Sequence, residues 1–242
     1  MVETPWPMLF DNNPWVDWVT TAHLTTTKRH IKPKYTVDSV LSPPILRQML
    51  DYVDPQYDGK PQLFLRPEEI DEVTKELASP YIAVAPCGKG GFSANRKDWG
   101  VEKFQRLRNV FPDATWVQVG VRSDPLLENV IDTRHYSIRK AACVLQKSLF
   151  CVCLEGGIMH LAQSVKKKCL VIYGGHIHPQ TTGYDSNINI GSSAVCSPCY
   201  HSDYPSKPCR DMRCMSAISV DFVAETIRTH FQDELLQSQP SS

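Results

Sequence analysis

From residue 67 onward, short apolar runs alternate with amphipathic stretches, and this alternation limits the fold more than any other feature of the chain. PEEIDEVTKELA (67–78) starts with proline, carries acids in its first turn and brings Ile70, Val73 and Leu77 to one face, which predicts a helix. YIAVAP (81–86) then reads as a strand, and VEKFQRLRNVF (101–111) as a helix with Val101, Phe104, Leu107 and Val110 at helical spacing. ATWVQVG predicts a strand, SDPLLENVI a helix, SIRKAACVLQKS a helix, LFCVCLE a strand, GIMHLAQSV a helix and CLVIYGG a strand. A last helix is expected at about 219–236, followed by a frayed tail. This order predicts an α/β fold, a Rossmann-like parallel sheet with helices on both faces, whose ligands bind at the carboxyl ends of the strands. Residues 1–66 are broken by Pro5, Pro7, Pro14, Pro33, Pro43, Pro44, Pro55 and Pro61, leaving one short helix candidate at 45–52. The expected organisation is an irregular segment 1–66, a nucleotide-binding domain 67–236 and a tail 237–242.

Four loops share the predicted carboxyl edge. CGKGGFSANRKDW (87–99) supplies Gly88, Gly90 and Gly91 with Lys89, Arg96 and Lys97 close by, either a phosphate loop or a solvated glycine loop. Asp124 follows the strand ending at Gly120 and suits either a ribose diol or the N-cap of a helix starting at Pro125. CLEGGIMHLA (153–162) ends an apolar run with Glu155, Gly156 and Gly157 and resumes as a helix carrying His160. A helix start at paired glycines leaves unpaired N–H groups open to an anion. His160 is then either a ligand contact beside that site or a core histidine. The fourth loop, Gly174-Gly175-His176 before PQTT (179–182), is polar and suits a hydroxyl-rich ligand.

The 26 basic and 26 acidic residues balance, which gives no general electrostatic case for a nucleic-acid or membrane partner. No apolar run approaches the roughly 20 residues that span a bilayer, and the first residues lack a signal-peptide pattern, so a cytoplasmic protein is expected. Five of the nine cysteines, Cys87, Cys143, Cys151, Cys153 and Cys169, lie in or beside apolar segments and read as small buried hydrophobes. The other four, Cys196, Cys199, Cys209 and Cys214, form C-x2-C-x9-C-x4-C in a polar loop, 195–215. They predict a tetrahedral thiolate site, zinc first, with four free thiols as the alternative and disulfides as the weaker one.

NRKDWGVEKFQRL, WVQVG, the run from SIRKAACVLQKS to CLEGGIMHLA, and CLVIYGG followed by PQTT together resemble the carboxyl half of family 9 glycosyltransferases, the heptosyltransferase-like enzymes, in the same order over about residues 80–231. The resemblance implies half of a two-domain GT-B-type fold that binds an ADP-sugar and needs no metal for transfer. It also implies transfer to a glycan, lipopolysaccharide-core or protein hydroxyl. On the matching positions it implies Lys97 at the donor phosphates, Asp124 at the ribose, and Glu155, Gly156, Gly157 and His160 at the turn. Gly88 and Lys89 are added as donor contacts from the glycine loop.

Two positions depart from the family pattern: Glu155 stands for the usual aspartate and Gly156 for a hydroxyl residue. Some related transferases carry iron in such a cysteine loop. The aspartate that the family uses as general base belongs to an amino-terminal segment with no counterpart here. The start WPMLFDNNPWVDWV resembles a stretch late in that half, and Asp11 and Asp17 lack the right context, so the base is unassigned. Three function classes stand at this point: a glycosyltransferase, a non-catalytic nucleotide-sugar binder, and a metal-stapled interaction module.

Overall fold

The computed structural model describes residues 1–22, 44–52, 56, 60–77, 80–88, 93–199 and 208–237. Lys89, Gly90, Gly91, Pro33, Pro43, Pro55 and the tail beyond Gln237 lie outside the described residues. The amino-terminal segment contributes a two-stranded parallel pair, β1 (Val2–Glu3) with β2 (Val19–Thr20), a 3₁₀ turn at Pro7–Phe10 and helix α1 (Ile45–Leu50).

The main sheet has six strands, β3 (Ile82–Ala85), β4 (Trp116–Gln118), β5 (Ile131–Asp132), β6 (Cys151–Leu154), β7 (Cys169–Gly174) and β8 (Ile188–Gly191). They lie in the order β5-β4-β3-β6-β7-β8, and every pairing is parallel. The chain runs outward from β3 to β5, returns to the other side of β3, and runs outward again to β8. That reversal makes the β3–β6 junction a switch point, where the loops leaving the two strands turn to opposite sides and open a crevice.

Side chains alternate between the faces, and each face is covered. Ala83, Ala85, Val117, Cys151, Cys153, Cys169 and Val171 pack under α2 (Pro67–Glu76), α4 (Ile138–Lys147) and α5 (Gly157–Ser164). Ile82, Val84, Trp116, Val152, Leu154, Leu170 and Ile172 pack under α3 (Val101–Val110) and α8 (Val220–His230). Continuous burial on both sides explains why these strands read as unbroken apolar runs. Two helix starts are capped by serines, with Ser137 Oγ accepting from Lys140 N and Ser219 Oγ accepting from Phe222 N. Among the described residues no helix is long and apolar enough to cross a membrane.

Three sequence expectations need correction. SDPLLENVI contains no helix, because neighbouring side chains take up its backbone groups. Leu127 N donates to Gln118 Oε1, Gln118 Nε2 donates to Pro125 O, Glu128 N donates to Gln105 Oε1, and Arg108 Nε donates to Asn129 O. The segment then ends in β5, which the sequence reading did not separate from it. The helix expected over 219–236 is two helices, α8 and α9 (Gln232–Gln237), because Phe231 leaves helical geometry to stack on Phe150 at 4.2 Å in the core. PQTT is one helical turn, α6 (Pro179–Thr182), and the sixth strand β8 follows it. A further single turn, α7 (Arg213–Ser216), closes the cysteine loop.

Arg139 ties the amino-terminal segment to this domain. It is 7% exposed and meets Glu69 with Nε to Oε1 at 2.7 Å and Nη2 to Oε2 at 2.5 Å. Its remaining donors go to the carbonyls of Met8 (3.1 Å), Asp11 (3.3 Å) and Phe64 (2.9 Å). The Arg139 hydrogen bond holds the Glu69 carboxyl below its ordinary 4.5, against burial that raises it. Such a group contributes full stability above its unfolded pKa and loses it as pH falls through the lower folded value. Glu69→Gln should therefore flatten the loss of stability below pH 4.5, as read by denaturant titration across the acid range. Arg139→Ala should cost about 3 kcal/mol at neutral pH, because it strands a partly buried carboxylate and three carbonyls. Chevron or equilibrium urea unfolding measures this.

Candidate functional site

The site is built outward from the end of β6. Glu155 is 4% exposed and immediately precedes Gly156, whose φ of +154° suits glycine, and α5 begins at Gly157 with no side chain capping it. A Cβ placed on Gly156 or Gly157 would meet nothing within 4 Å. Backbone conformation accounts for Gly156. Packing does not account for Gly157, and its bare backbone leaves the first N–H groups of α5 open to approach.

Lys97 reaches across the switch point from the loop after β3 and forms an ion pair with Glu155 Oε2. Its position is fixed by its neighbours. Trp99, buried beside it, donates from Nε1 to Ile218 O at 2.8 Å and stands edge-on to Phe104. Two residues before Lys97, Asn95 makes a reciprocal pair with Cys209, donating to its carbonyl at 2.9 Å and accepting from its N–H at 2.7 Å. The ammonium is thus held at one place beside an open helix start.

Two histidines flank the pair, and Lys97 and Glu155 act electrostatically on both. His160 Nδ1 lies 2.7 Å from Tyr184 Oη, and burial lowers the pKa of its ring. His176 is fully buried, with a pKa held at about 4 by burial first and by Lys97 second. Both rings are therefore neutral at physiological pH and offer hydrogen bonds rather than charge. His160 lies one turn into α5 as a neutral group braced by a tyrosine that the sequence did not single out.

Gly88 sits over the end of β6, where an added Cβ would come 4.0 Å from Leu154 Cδ1. Asp124 belongs to the same edge, since its charge acts on Cys87, the residue before Gly88. It caps no helix. Its Oδ2 accepts from Val121 N at 2.9 Å and closes a turn that Gly120, at φ +152°, makes possible; a Cβ on Gly120 would lie 2.4 Å from that oxygen. Arg134, paired with Asp132 at 2.8 Å, holds the Asp124 carbonyl from the other side. A cavity of about 410 Å³ opens beside this centre at the ends of β7 and β8, lined by Gly174, Ile177, His178, Ser192 and Ser197 among others. Neither Lys97 nor Glu155 lines it.

The four loop cysteines gather against the turn after β7. Cys199 N donates to Gly175 O at 2.9 Å, Cys199 Sγ lies 3.7 Å from His176 Nδ1, and Cys214 packs against Gly175. Each thiol acts electrostatically on Cys199, yet no three of the four bring their sulfurs within 4.8 Å of one another. Backbone donors reach two of the sulfurs, Met212 N donating to Cys209 Sγ at 3.4 Å and the N–H groups of Gly175 and Met215 to Cys214, while burial holds the thiols of Cys199 and Cys214 above the ordinary thiol range. The donor type fits a soft metal ion, and the sulfurs would have to close around it. The cysteine group already drawn to within 4.8 Å is a different one, Cys151, Cys153 and Cys169 in the core.

Residues 134–209 match the model of glycosyltransferase family 9 (heptosyltransferase). This span runs from Arg134 through α4, β6, the Glu155 turn and β7 to Cys209. No curated protein matches the chain. Among solved structures, the fold is similar to a family 9 glycosyl transferase from Veillonella parvula (TM-score 0.61, 15% identity, 84% of this chain and 63% of that one). It is also similar to the ADP-heptose LPS heptosyltransferase II of E. coli (0.59, 18%, 81% and 62%). A third is the iron-containing dodecameric glycosyltransferase TibC of enterotoxigenic E. coli (0.58, 16%, 79% and 54%). The chain spans less than two thirds of the length of each. The resemblance read from the sequence is borne out: residues 134–209 carry the family 9 glycosyltransferase (heptosyltransferase) pattern, on a fold shared with solved enzymes of that kind.

Proposed function

We propose that the carboxyl edge of the sheet holds the diphosphate of an ADP-sugar, with ADP-heptose the favoured donor, and stabilises it as the leaving group in a heptosyltransferase-type transfer. The reading rests above all on the fixed Lys97 ammonium at the open start of α5, on the switch point of the sheet. TibC, one of the similar structures, was solved with an ADP-heptose. In the proposed reaction an acceptor hydroxyl attacks the anomeric carbon, the bond from that carbon to the diphosphate oxygen breaks, and negative charge grows on ADP. Lys97 and the Gly157 N–H would meet that charge where it develops. Donor phosphate would replace Glu155 as the partner of Lys97, leaving the Glu155 carboxylate to accept from sugar hydroxyls. Asp124, at the rim, is assigned to the ribose, with Gly88 and Lys89 alongside the phosphates.

The acceptor is read as a glycan, lipopolysaccharide-core or protein hydroxyl, in the cytoplasm. We assign the donor to residues 67–236 and read 1–66 as the remnant of an acceptor domain. The base that takes the acceptor proton is not assigned to any described residue. Cys196, Cys199, Cys209 and Cys214 would hold a structural zinc or iron ion, which would neutralise their charge and staple the loop to Asn95 and Gly175.

Calorimetric titration with ADP, beside a transfer assay with ADP-heptose, tests the reading. Saturable ADP binding is expected, and its absence in folded protein would overturn the site; binding without any turnover would favour the non-catalytic binder. Lys97→Ala should weaken ADP binding about tenfold to a hundredfold, the loss of a charge-assisted contact of about 1.5–3 kcal/mol. The effect should disappear when adenosine replaces ADP. Gly157→Ala should leave the thermal midpoint unchanged, since the new methyl meets no protein atom, yet weaken ADP binding by crowding the phosphates. For the metal, elemental analysis of untagged protein should give one zinc or iron per chain; four alkylatable loop thiols with little metal would refute the assignment.

A further inference from the structure

Among the described residues, one more concentration of reactive groups lies apart from the carboxyl edge and the cysteine loop. Cys151 and Cys153 project from β6 to the same face, and Cys169 on β7 is the direct register partner of Cys151. All three are fully buried, and their sulfurs lie within 4.8 Å of one another. Among the described residues no fourth cysteine, histidine or carboxylate joins them. We propose that Cys151, Cys153 and Cys169 form a binding site for a trivalent thiophilic metalloid of the arsenite or antimonite class, in trigonal thiolate coordination.

The charge and number of donors select the ligand. Zinc takes four donors, and three thiolates would leave it one short with a net negative charge. A monovalent soft ion with three thiolates would carry a still larger negative charge in an apolar core, where an uncompensated charge is costly. Lys167, whose charge acts on Cys151 and Cys169, already gives its ammonium to the carbonyls of Ser148 and Leu149. A trivalent ion with three thiolates is neutral and is complete with three sulfurs. With arsenite, three As–O bonds break and three As–S bonds form. Each thiol proton leaves with a hydroxide as water, and no oxidant or reductant is involved. The sulfurs already sit on adjacent strands of a rigid parallel pair, so little order has to be created on binding. The product would cross-link β6 to β7 beneath the Glu155 turn.

The test uses the full chain with Cys196, Cys199, Cys209 and Cys214 replaced by serine, so that loop thiols cannot compete. After incubation with arsenite and removal of free ligand, circular dichroism checks the fold. Elemental analysis and arsenic X-ray absorption then read occupancy and neighbours. About one arsenic per folded chain with three sulfur neighbours is expected. Cys153→Ala and, separately, Cys169→Ala should each lower retention at least tenfold, while Cys143→Ala and Cys87→Ser should keep it. Failure of the folded protein to retain arsenic, two sulfur neighbours instead of three, or retention that follows Cys143 or Cys87 would each overturn the proposal.

Discussion

The parallel pairing of β3 with β6, Ala83 to Cys151 and Ala85 to Cys153, is the constraint on which the remaining structure depends. It places the loop after β3 and the turn after β6 on either side of one crevice. Lys97 and Glu155 meet only because these strands are neighbours. Residues that look peripheral serve the same juncture: Trp99 and Asn95 hold the Lys97 loop, while Tyr184 braces the α5 helix through His160.

Among the described residues of the crevice, the Lys97 ammonium is matched by the buried Glu155 carboxylate, the Arg96 guanidinium also acts on His176, and both nearby imidazoles are kept neutral by burial. Under the proposed reading, a diphosphate would compete with Glu155 for the Lys97 ammonium. Selectivity in such a site comes from the geometry of a few donors, the helix start foremost, more than from bulk attraction.

The sheet was legible from the sequence because strands buried on both faces are apolar throughout and their helices repeat at helical spacing. The Glu155-Gly156-Gly157 turn was legible for a related reason, since an acid and two glycines interrupt that pattern. SDPLLENVI was misread because its helical composition is overruled by Gln118, Gln105 and Arg108, residues outside the segment that satisfy its backbone. β8 was missed because INIG is short and half polar; its strand pairing exists only once β7 is in place. The Lys97–Glu155 pair required the strand order, which periodicity does not supply. The close grouping of Cys151, Cys153 and Cys169 likewise follows from register, not from spacing along the chain.

The β3–β6 pairing also sets a kinetic order. To bring Ala83 beside Cys151, everything from residue 86 to residue 150 must be looped out, β4, β5 and two helices included. Closing so long a segment costs entropy before the new contacts repay it. The half formed by β3, β4 and β5 can assemble early from shorter connections, but the crevice has no walls until β6 docks. The crevice thus depends on a long-range closure that the β3–β5 half does not need. A destabilising change anywhere along β6, even on the face away from the ligand, should delay the appearance of the site more than that of the helices around it.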